Sequence, residues 1–151
     1  MLNSEKRILG LDVGDRRIGV AVSDELMLTA QPLEVINRSE SEKDMEHIVR
    51  LVKAYDACLV VVGMPLMLDR TVGRQAEKVE QFVEVLRSHL DIPVRTIDER
   101  LSTSLAERVM ISAGVRRKKR RQHIDALAAA GILQVYMDRR RNMPDEYSEN
   151  E

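Results

Sequence analysis

The sequence predicts an α/β domain built on a mixed five-stranded sheet, with three early antiparallel strands and helices on both faces. Three observations carry that prediction. Two short apolar runs, residues 8–14 and 18–23, flank the charged turn Asp15-Arg16-Arg17, as in a hairpin. Two later runs, residues 59–62 and 93–98, each follow a stretch with helical apolar spacing, the order expected when helices cross over to parallel strands. The chain has 151 residues, 44% of them hydrophobic, which is enough for one domain with a core on both faces of a sheet and too little for two large domains.

The elements follow in order. After the hairpin, Gln31-Pro32-Leu33-Glu34-Val35-Ile36 reads as a third strand, with Pro32 suited to an edge or a strand's start because it lacks an amide donor. Ser41 is the candidate N-cap of a helix in which Met45, Ile48, Val49, Leu51 and Val52 recur at helical spacing up to Tyr55. Leu59-Val60-Val61-Val62 has no polar alternation and reads as a central strand covered on both faces. Gly63-Met64-Pro65 ends it, a loop carries Asp69 and Arg70, and Ala76, Val79, Phe82, Val83 and Leu86 mark a second amphipathic helix. Residues 93–98 form the fifth strand. Ser102-Thr103-Ser104 then precedes a short helix that stops near Gly114. The basic run is read as a connector to a last helix with Ile124, Leu127, Ala128, Gly131, Ile132, Val135 and Tyr136 on its apolar face. Residues 1–141 are thus one domain, and residues 142–151 a loose polar tail.

Composition excludes several classes of function. Aromatic residues make up 3% and Trp is absent, so aromatic stacking is not the main means of holding bases. The single cysteine, Cys58, forms no intramolecular disulfide and reads as a small buried hydrophobe. No apolar stretch approaches the roughly 18 residues of a membrane span, and no signal-peptide core follows the N-terminus. The cytoplasm is the expected address. The net charge of −1 balances 24 basic against 25 acidic residues, but Arg116-Arg117-Lys118-Lys119-Arg120-Arg121 is an unbroken cationic run, while Asp145, Glu146, Glu149 and Glu151 crowd the tail. The surface is therefore polarised, with one strongly basic segment.

Chemistry is suggested by carboxylates at the ends of apolar strands. Asp12 ends the first run, where it either coordinates a metal or caps the tight turn with Gly14. Asp98 and Glu99 end the fifth strand, and alternation lets only one of them face Asp12. Glu99 is preferred because its longer side chain lies just past the strand, and Asp98 is the competitor. A surface ion pair is the plainer role for either. Asp125, near the start of the last helix, reaches the same place if that helix packs with its N-terminal end at the strand ends. Carboxylates gathered without a neutralising Lys call for cations, and Mg²⁺ takes such a hard oxygen shell.

Four stretches together resemble the YqgF/RuvX family. They are residues 11–24 (LDVGDRRIGVAVSD), 63–66 (GMPL), 98–103 (DERLST) and 123–129 (HIDALAA). The family comprises candidate Holliday-junction resolvases or pre-16S rRNA nucleases with an RNase H-like fold. The resemblance spans nearly the whole chain and implies an acidic centre at Asp12, Glu99 or Asp98, and Asp125. It further implies a metal-dependent endonuclease that hydrolyses phosphodiester bonds in 5′-end processing of pre-16S rRNA, with one or two Mg²⁺ or Mn²⁺ ions. One departure is Arg70, which follows Asp69 where the family usually has Gly. It leaves the acidic positions intact and offers a phosphate contact instead.

Arg16, Arg17 and Arg100 lie close in sequence to the acidic centre and are candidate phosphate contacts, since a guanidinium holds two phosphate oxygens at once. Ion pairs to Asp15 or Glu99 are the alternative. The basic run is expected to contact phosphate, with a solubilising connector as the plainer role. His123 is either a proton-transfer or phosphate-contacting residue or a surface histidine, whereas His47 and His89 sit in helices without a ligand constellation. The hydroxyls of residues 102–104 fit a helix cap better than a nucleophile, because no paired His activates them. Two other readings share the acidic site or the fold: a Holliday-junction resolving DNA endonuclease, and a noncatalytic RNA-binding ribosome-assembly protein. Expected partners are pre-rRNA or branched DNA and a ribosomal particle, with the chain a monomer or a homodimer. ATP hydrolysis is disfavoured, because the chain has no P-loop and no room for a second lobe.

Overall fold

A computed structural model describes residues 6–65, 73–98 and 117–142, with side chains in the last segment from residue 124 onward. Its strands are β1 (Arg7–Val13), β2 (Arg17–Ser23), β3 (Ala30–Asn37), β4 (Ala57–Met64) and β5 (Val94–Asp98). Its helices are α1 (Ser41–Ala54), α2 (Arg74–His89) and α3 (Arg117–Asn142). The strands form one mixed sheet in the order β3-β2-β1-β4-β5. The first three are antiparallel meanders, and β1, β4 and β5 run parallel. This is the architecture the apolar runs predict.

Strand alternation explains the two cores. Leu9, Leu11, Val13, Ile18, Val20, Val22, Val60, Val62 and Val94 point to one face and are buried under α1 and α2. Ile8, Ala21, Leu59, Val61 and Ile97 point to the other, under Ala129, Ile132, Leu133, Tyr136 and Met137 of α3. A strand buried on both sides needs apolar residues at every position, which is why β4 reads without polar alternation. Pro32 lies on the edge strand β3, beside a register shift opposite Val20 and Ala21. An edge tolerates both the missing donor and the bulge. Cys58 is half-buried against the α3 core rather than fully enclosed.

Two local expectations change. Glu40, not Ser41, is the N-cap of α1, and Ser41 is the first helical residue. Asp44 in the first turn instead accepts from the Ser39 amide and hydroxyl. The last helix begins at Arg117, so the basic run from Arg117 to Arg121 is helical and not a connector. Lys and Arg are good helix formers, and the segment extends α3 beyond its apolar stripe. The helix reaches Asn142. The tail beyond it, the loop with Arg70, and the segment with Glu99, Arg100, the short helix and Arg116 lie outside the described residues.

The β2–β3 turn shows what the Ser23-Asp24 pair does. The buried Ser23 Oγ accepts the Ile8 amide at 2.8 Å and donates to the Asp24 carbonyl. Asp24 Oδ1 accepts the Leu28 and Thr29 amides at 2.7 and 3.0 Å, which closes a turn containing Met27 at φ 58°. These amides, Thr29 first, hold the Asp24 carboxyl below its ordinary pKa. A depressed carboxyl stabilises the fold fully above its unfolded pKa, and that contribution is lost as pH falls through the lower folded value. Asp24→Ala is accordingly expected to cost about 1 kcal/mol at neutral pH, with the deficit shrinking in acid below about pH 4. Urea unfolding at neutral and acid pH checks this; a deficit independent of pH would show that the charge does not hold the turn.

Candidate active site

Asp12 is the sixth residue of β1 and sits in register with Gly19 of β2. Alternation sets it on the α3 face, since Leu11 and Val13 on either side belong to the α1–α2 core. Gly19 is where α3 meets the sheet. A Cβ built on Gly19 would lie 1.8 Å from the Asp125 carbonyl oxygen and 2.2 Å from its carbon. The backbone of Asp125 therefore rests directly on the glycine paired with Asp12, and the two carboxylate-bearing residues meet at that point. Gly10 makes a second close contact, its added Cβ falling 2.8 Å from Leu133 Cβ. Two glycines two pairs apart, Gly10 opposite Ala21 and Gly19 opposite Asp12, let α3 lie low across β1 and β2.

This end of the sheet is also where the parallel strands finish. β4 ends at Met64 and β5 at Asp98, which are in register with each other. Open α/β sheets place ligands at the carboxyl ends of parallel strands, and Asp12 lies at the same end. Asp98 does not share the face of Asp12. On β5, Ile97 packs under α3 and Arg95 donates to the Tyr136 hydroxyl at 3.2 Å, whereas Val94 packs under α1 and α2. Asp98 has the parity of Val94, so the competitor for the third carboxylate stands on the opposite face.

Asp125 is half-buried, its side chain 24% exposed, and its Oδ2 accepts from Arg17 Nε at 2.6 Å. Arg17 was expected to contact phosphate or to pair with Asp15 or Glu99; its partner in the fold is Asp125. Asp15 pairs instead with Lys78 at 3.4 Å on the surface. Arg16 is exposed in the same turn. His123 lies on α3 two residues before Asp125, its side chain outside the described residues. His47 pairs with Glu34 at 2.8 Å and His89 with Glu42 at 3.2 Å, which leaves both away from the acidic pair.

The turn between Asp12 and Arg17 is held from outside by a residue that no motif marks. Arg38 Nη1 donates to the Gly14 carbonyl at 2.8 Å, and its own amide donates to the Arg16 carbonyl at 2.9 Å. Its guanidinium lies 5.5 Å from the Phe82 ring centre and its Nε 3.8 Å from the buried Asp44. A lone Arg after a strand carries no spacing signal, so only the folded chain reveals this brace. The Gly14 amide closes the turn onto the Arg17 carbonyl at 2.9 Å.

The arrangement suits a hard divalent cation. Asp12 pairs with Gly19, on which the Asp125 backbone rests, and the Asp125 carboxylate holds a cationic group, the Arg17 guanidinium. Among the described residues no three His, Cys, Asp or Glu side chains gather as a metal group. The third carboxylate of the expected set, Glu99, is not among those residues. No described helix is long and apolar enough to cross a membrane.

The β3-β2-β1-β4-β5 sheet with α3 packed low across β1 and β2 is an RNase H-like fold. Thermus thermophilus RuvC in complex with a Holliday junction substrate shares the fold with a TM-score of 0.58, over 90% of this chain and 96% of that one, at 19% identity. Fowlpox virus resolvase in complex with Holliday junction DNA matches with a TM-score of 0.56, over 87% of this chain and 97% of that one, at 12% identity. Such identities speak for the fold alone. The chain belongs to the RuvX family, whose sequence profile, described as Holliday junction resolvase, matches residues 6–139. Relatives provisionally named pre-16S rRNA nuclease include one from Desulforamulus reducens, 52% identical over 87% of this chain and 96% of its own length. Another, from Symbiobacterium thermophilum, is 50% identical over 93% of this chain and 97% of its own length.

Proposed function

We propose that this chain is a divalent-metal-dependent endonuclease that hydrolyses phosphodiester bonds of precursor 16S rRNA at its 5′ end. The observation that carries the reading is the meeting of Asp12 and Asp125 at Gly19, where the Asp125 carboxylate accepts from the Arg17 guanidinium. Family membership and the names of the relatives supply the substrate class. Asp12, Asp125 and Glu99 are the proposed ligands of one or two Mg²⁺ or Mn²⁺ ions. The alternation that sets Arg95 and Ile97 on the α3 face favours position 99 over Asp98, because a strand prolonged by one residue would present it on the face of Asp12. When bound, the metal supplies a water of lowered pKa and neutralises charge on the leaving oxygen.

The chain's own groups position the backbone. Arg16 and Arg17 stand at the mouth of the acidic pair, and Arg70 and Arg100 belong to the segments that follow β4 and β5, which end at the same end of the sheet. The Arg38 brace fixes the turn between Asp12 and Arg17. No covalent nucleophile is needed. Cytoplasmic location, association with a ribosomal particle, and action as a monomer or homodimer complete the proposal.

Arg116, Arg117, Lys118, Lys119, Arg120 and Arg121 are proposed as the phosphate-binding approach to the site. Arg117 to Arg121 occupy the first described turns of α3, with no acidic residue in the first turn, although the helix dipole favours anions there. A placement that costs helix stability is explained by a polyanion that binds it. Arg117 precedes Asp125 by eight residues, about 12 Å along the axis, close enough for one nucleic-acid strand to touch both. Replacing Arg117, Lys118, Lys119 and Arg120 with Gln is expected to lower the slope of log affinity against log salt by roughly 3.6 on double-stranded nucleic acid, or about 2.8 on a single strand, if all four contact phosphate. Filter binding across a salt series measures this. A run that only solubilises the chain predicts an unchanged slope.

Cleavage assays with purified protein on precursor 16S rRNA and on a four-way DNA junction, each with Mg²⁺, Mn²⁺ or EDTA, test the function. Metal-dependent cleavage of the RNA supports the proposal. Cleavage confined to the junction would make the chain a DNA resolvase. Binding without cleavage in any metal would make it a noncatalytic assembly protein.

A further inference from the structure

We propose that Arg17 exchanges between two partners, the Asp125 carboxylate in the metal-free protein and a nucleic-acid phosphate once metal is bound, so that metal and nucleic acid bind cooperatively. The inference rests on the proposed metal site and concerns what Arg17 does there. Its basis is the 2.6 Å contact between Arg17 Nε and Asp125 Oδ2, an ion pair that joins residues 108 positions apart at the acidic end of the sheet. Arg17 is the first residue of β2 and faces α3, with the same parity as Gly19 and Ala21. Its backbone is fixed on both sides by the Gly14–Arg17 and Arg38–Arg16 hydrogen bonds and by pairing with Asn37. Its side chain is 53% exposed. The backbone is held and the side chain can move.

Electrostatics sets the two states against each other. A divalent cation on Asp125 repels the guanidinium that occupied the same carboxylate, because like charges a few ångströms apart are unfavourable even at a surface dielectric. A phosphate arriving at the metal restores a negative partner, and a guanidinium takes it by two parallel hydrogen bonds. Metal loading thus frees a phosphate-binding group, and by linkage phosphate binding favours metal to the same degree. Without metal, Asp125 masks Arg17 and nucleic acid is held more weakly. Arg17 is a positioning residue whose availability reports the state of the site.

The test uses the whole chain and two readouts besides cleavage. In EDTA, filter binding of a precursor 16S rRNA fragment is compared across wild type, Arg17→Gln, Asp125→Asn and the double variant, with circular dichroism to verify each fold. A masked Arg17 predicts that Arg17→Gln weakens RNA binding less than about twofold in the wild-type background, and at least about fivefold once Asp125→Asn has released it. Equal losses in both backgrounds would overturn the exchange. In parallel, Mn²⁺ titration followed by electron paramagnetic resonance at low salt should show about three- to fivefold tighter binding in Arg17→Gln, the worth of a half-exposed ion pair. Arg16→Gln removes the same charge one residue away and should change it by less than about twofold. Equal effects at the two positions would mean general charge repulsion and reject the specific contact. Failure of the metal reading is separately visible: wild-type protein would then bind no Mn²⁺ that Asp12→Asn abolishes, and the metal half of the exchange would fall with it.

Discussion

Asp12→Asn is expected to lower metal-dependent cleavage by at least about a hundredfold while leaving the fold and most of the RNA affinity in place. Even partners of metal ligands, one shell removed, typically cost 10- to 100-fold in affinity or activity, so loss of a proposed direct ligand should cost no less. Asn keeps the size of the side chain and removes its charge. Asp12 lies on β1 between Leu11 and Val13, whose burial under α1 and α2 does not depend on it, so melting temperature should be nearly unchanged. The basic N-terminal turns of α3 remain and keep RNA affinity. Mn²⁺ affinity should fall by at least about tenfold in the same variant. Full activity in purified Asp12→Asn, with contaminating nuclease excluded, would remove Asp12 from the mechanism. Lost activity with lost circular dichroism would instead show that the charge serves folding.

How much of this was legible in the sequence depended on whether the signal was local. The five strands are periodic or continuous apolar runs, and their burial on both faces leaves a direct trace in composition. Asp12 stood out because a carboxylate ends an apolar strand. Asp125 stood out through its place near the start of the last apolar helical stripe and through the motif around it. The choice between Asp98 and Glu99 could not be made from spacing, because both follow the same apolar run. Parity along β5 is anchored by Val94 and Ile97 packing on opposite faces, and residue 99 lies outside the described residues. The start of α3 leaves no trace in an apolar stripe, because residues 117–121 have none.

Arg38 and the Arg17–Asp125 pair were illegible for a different reason. Each joins side chains distant in sequence, 24 positions for Arg38 and Gly14 and 108 for Arg17 and Asp125, and no periodicity encodes such pairings. Gly19 is intermediate. A glycine inside a strand announces a bulge or a close backbone approach, but its sequence does not say which backbone approaches. The fold supplies the partner, the peptide of Asp125 itself.

That partner makes Gly19→Ala the most damaging small substitution expected in this chain. On most strand positions Ala would be neutral or helpful, because glycine loses more entropy on folding. Here the added methyl would stand 1.8 Å from the Asp125 carbonyl oxygen, 2.2 Å from its carbonyl carbon and 2.9 Å from the Ala126 nitrogen. All three are helix backbone atoms, which no rotamer change can move aside. Either α3 lifts from β2 or β2 bends away, and each disturbs the layer formed by the fully buried Ile132, Leu133, Tyr136 and Met137. Overpacking of this kind costs about 3 kcal/mol or more, and for a chain of this length the melting temperature should fall by on the order of 10 °C. The same displacement carries Asp125 away from Asp12, so Mn²⁺ affinity and cleavage should collapse even at temperatures where the variant is still folded. Gly10→Ala provides the comparison. Its methyl meets Leu133 Cβ at 2.8 Å and the Ala129 carbonyl at 3.0 Å, a milder clash farther from the acidic pair, so it should lower stability less and spare metal affinity. Thermal melts and Mn²⁺ titrations on the two variants separate packing from site geometry. A Gly19→Ala protein with unaltered melting temperature and metal affinity would mean that α3 does not rest on that glycine, and the meeting of Asp12 with Asp125 would lose its structural basis.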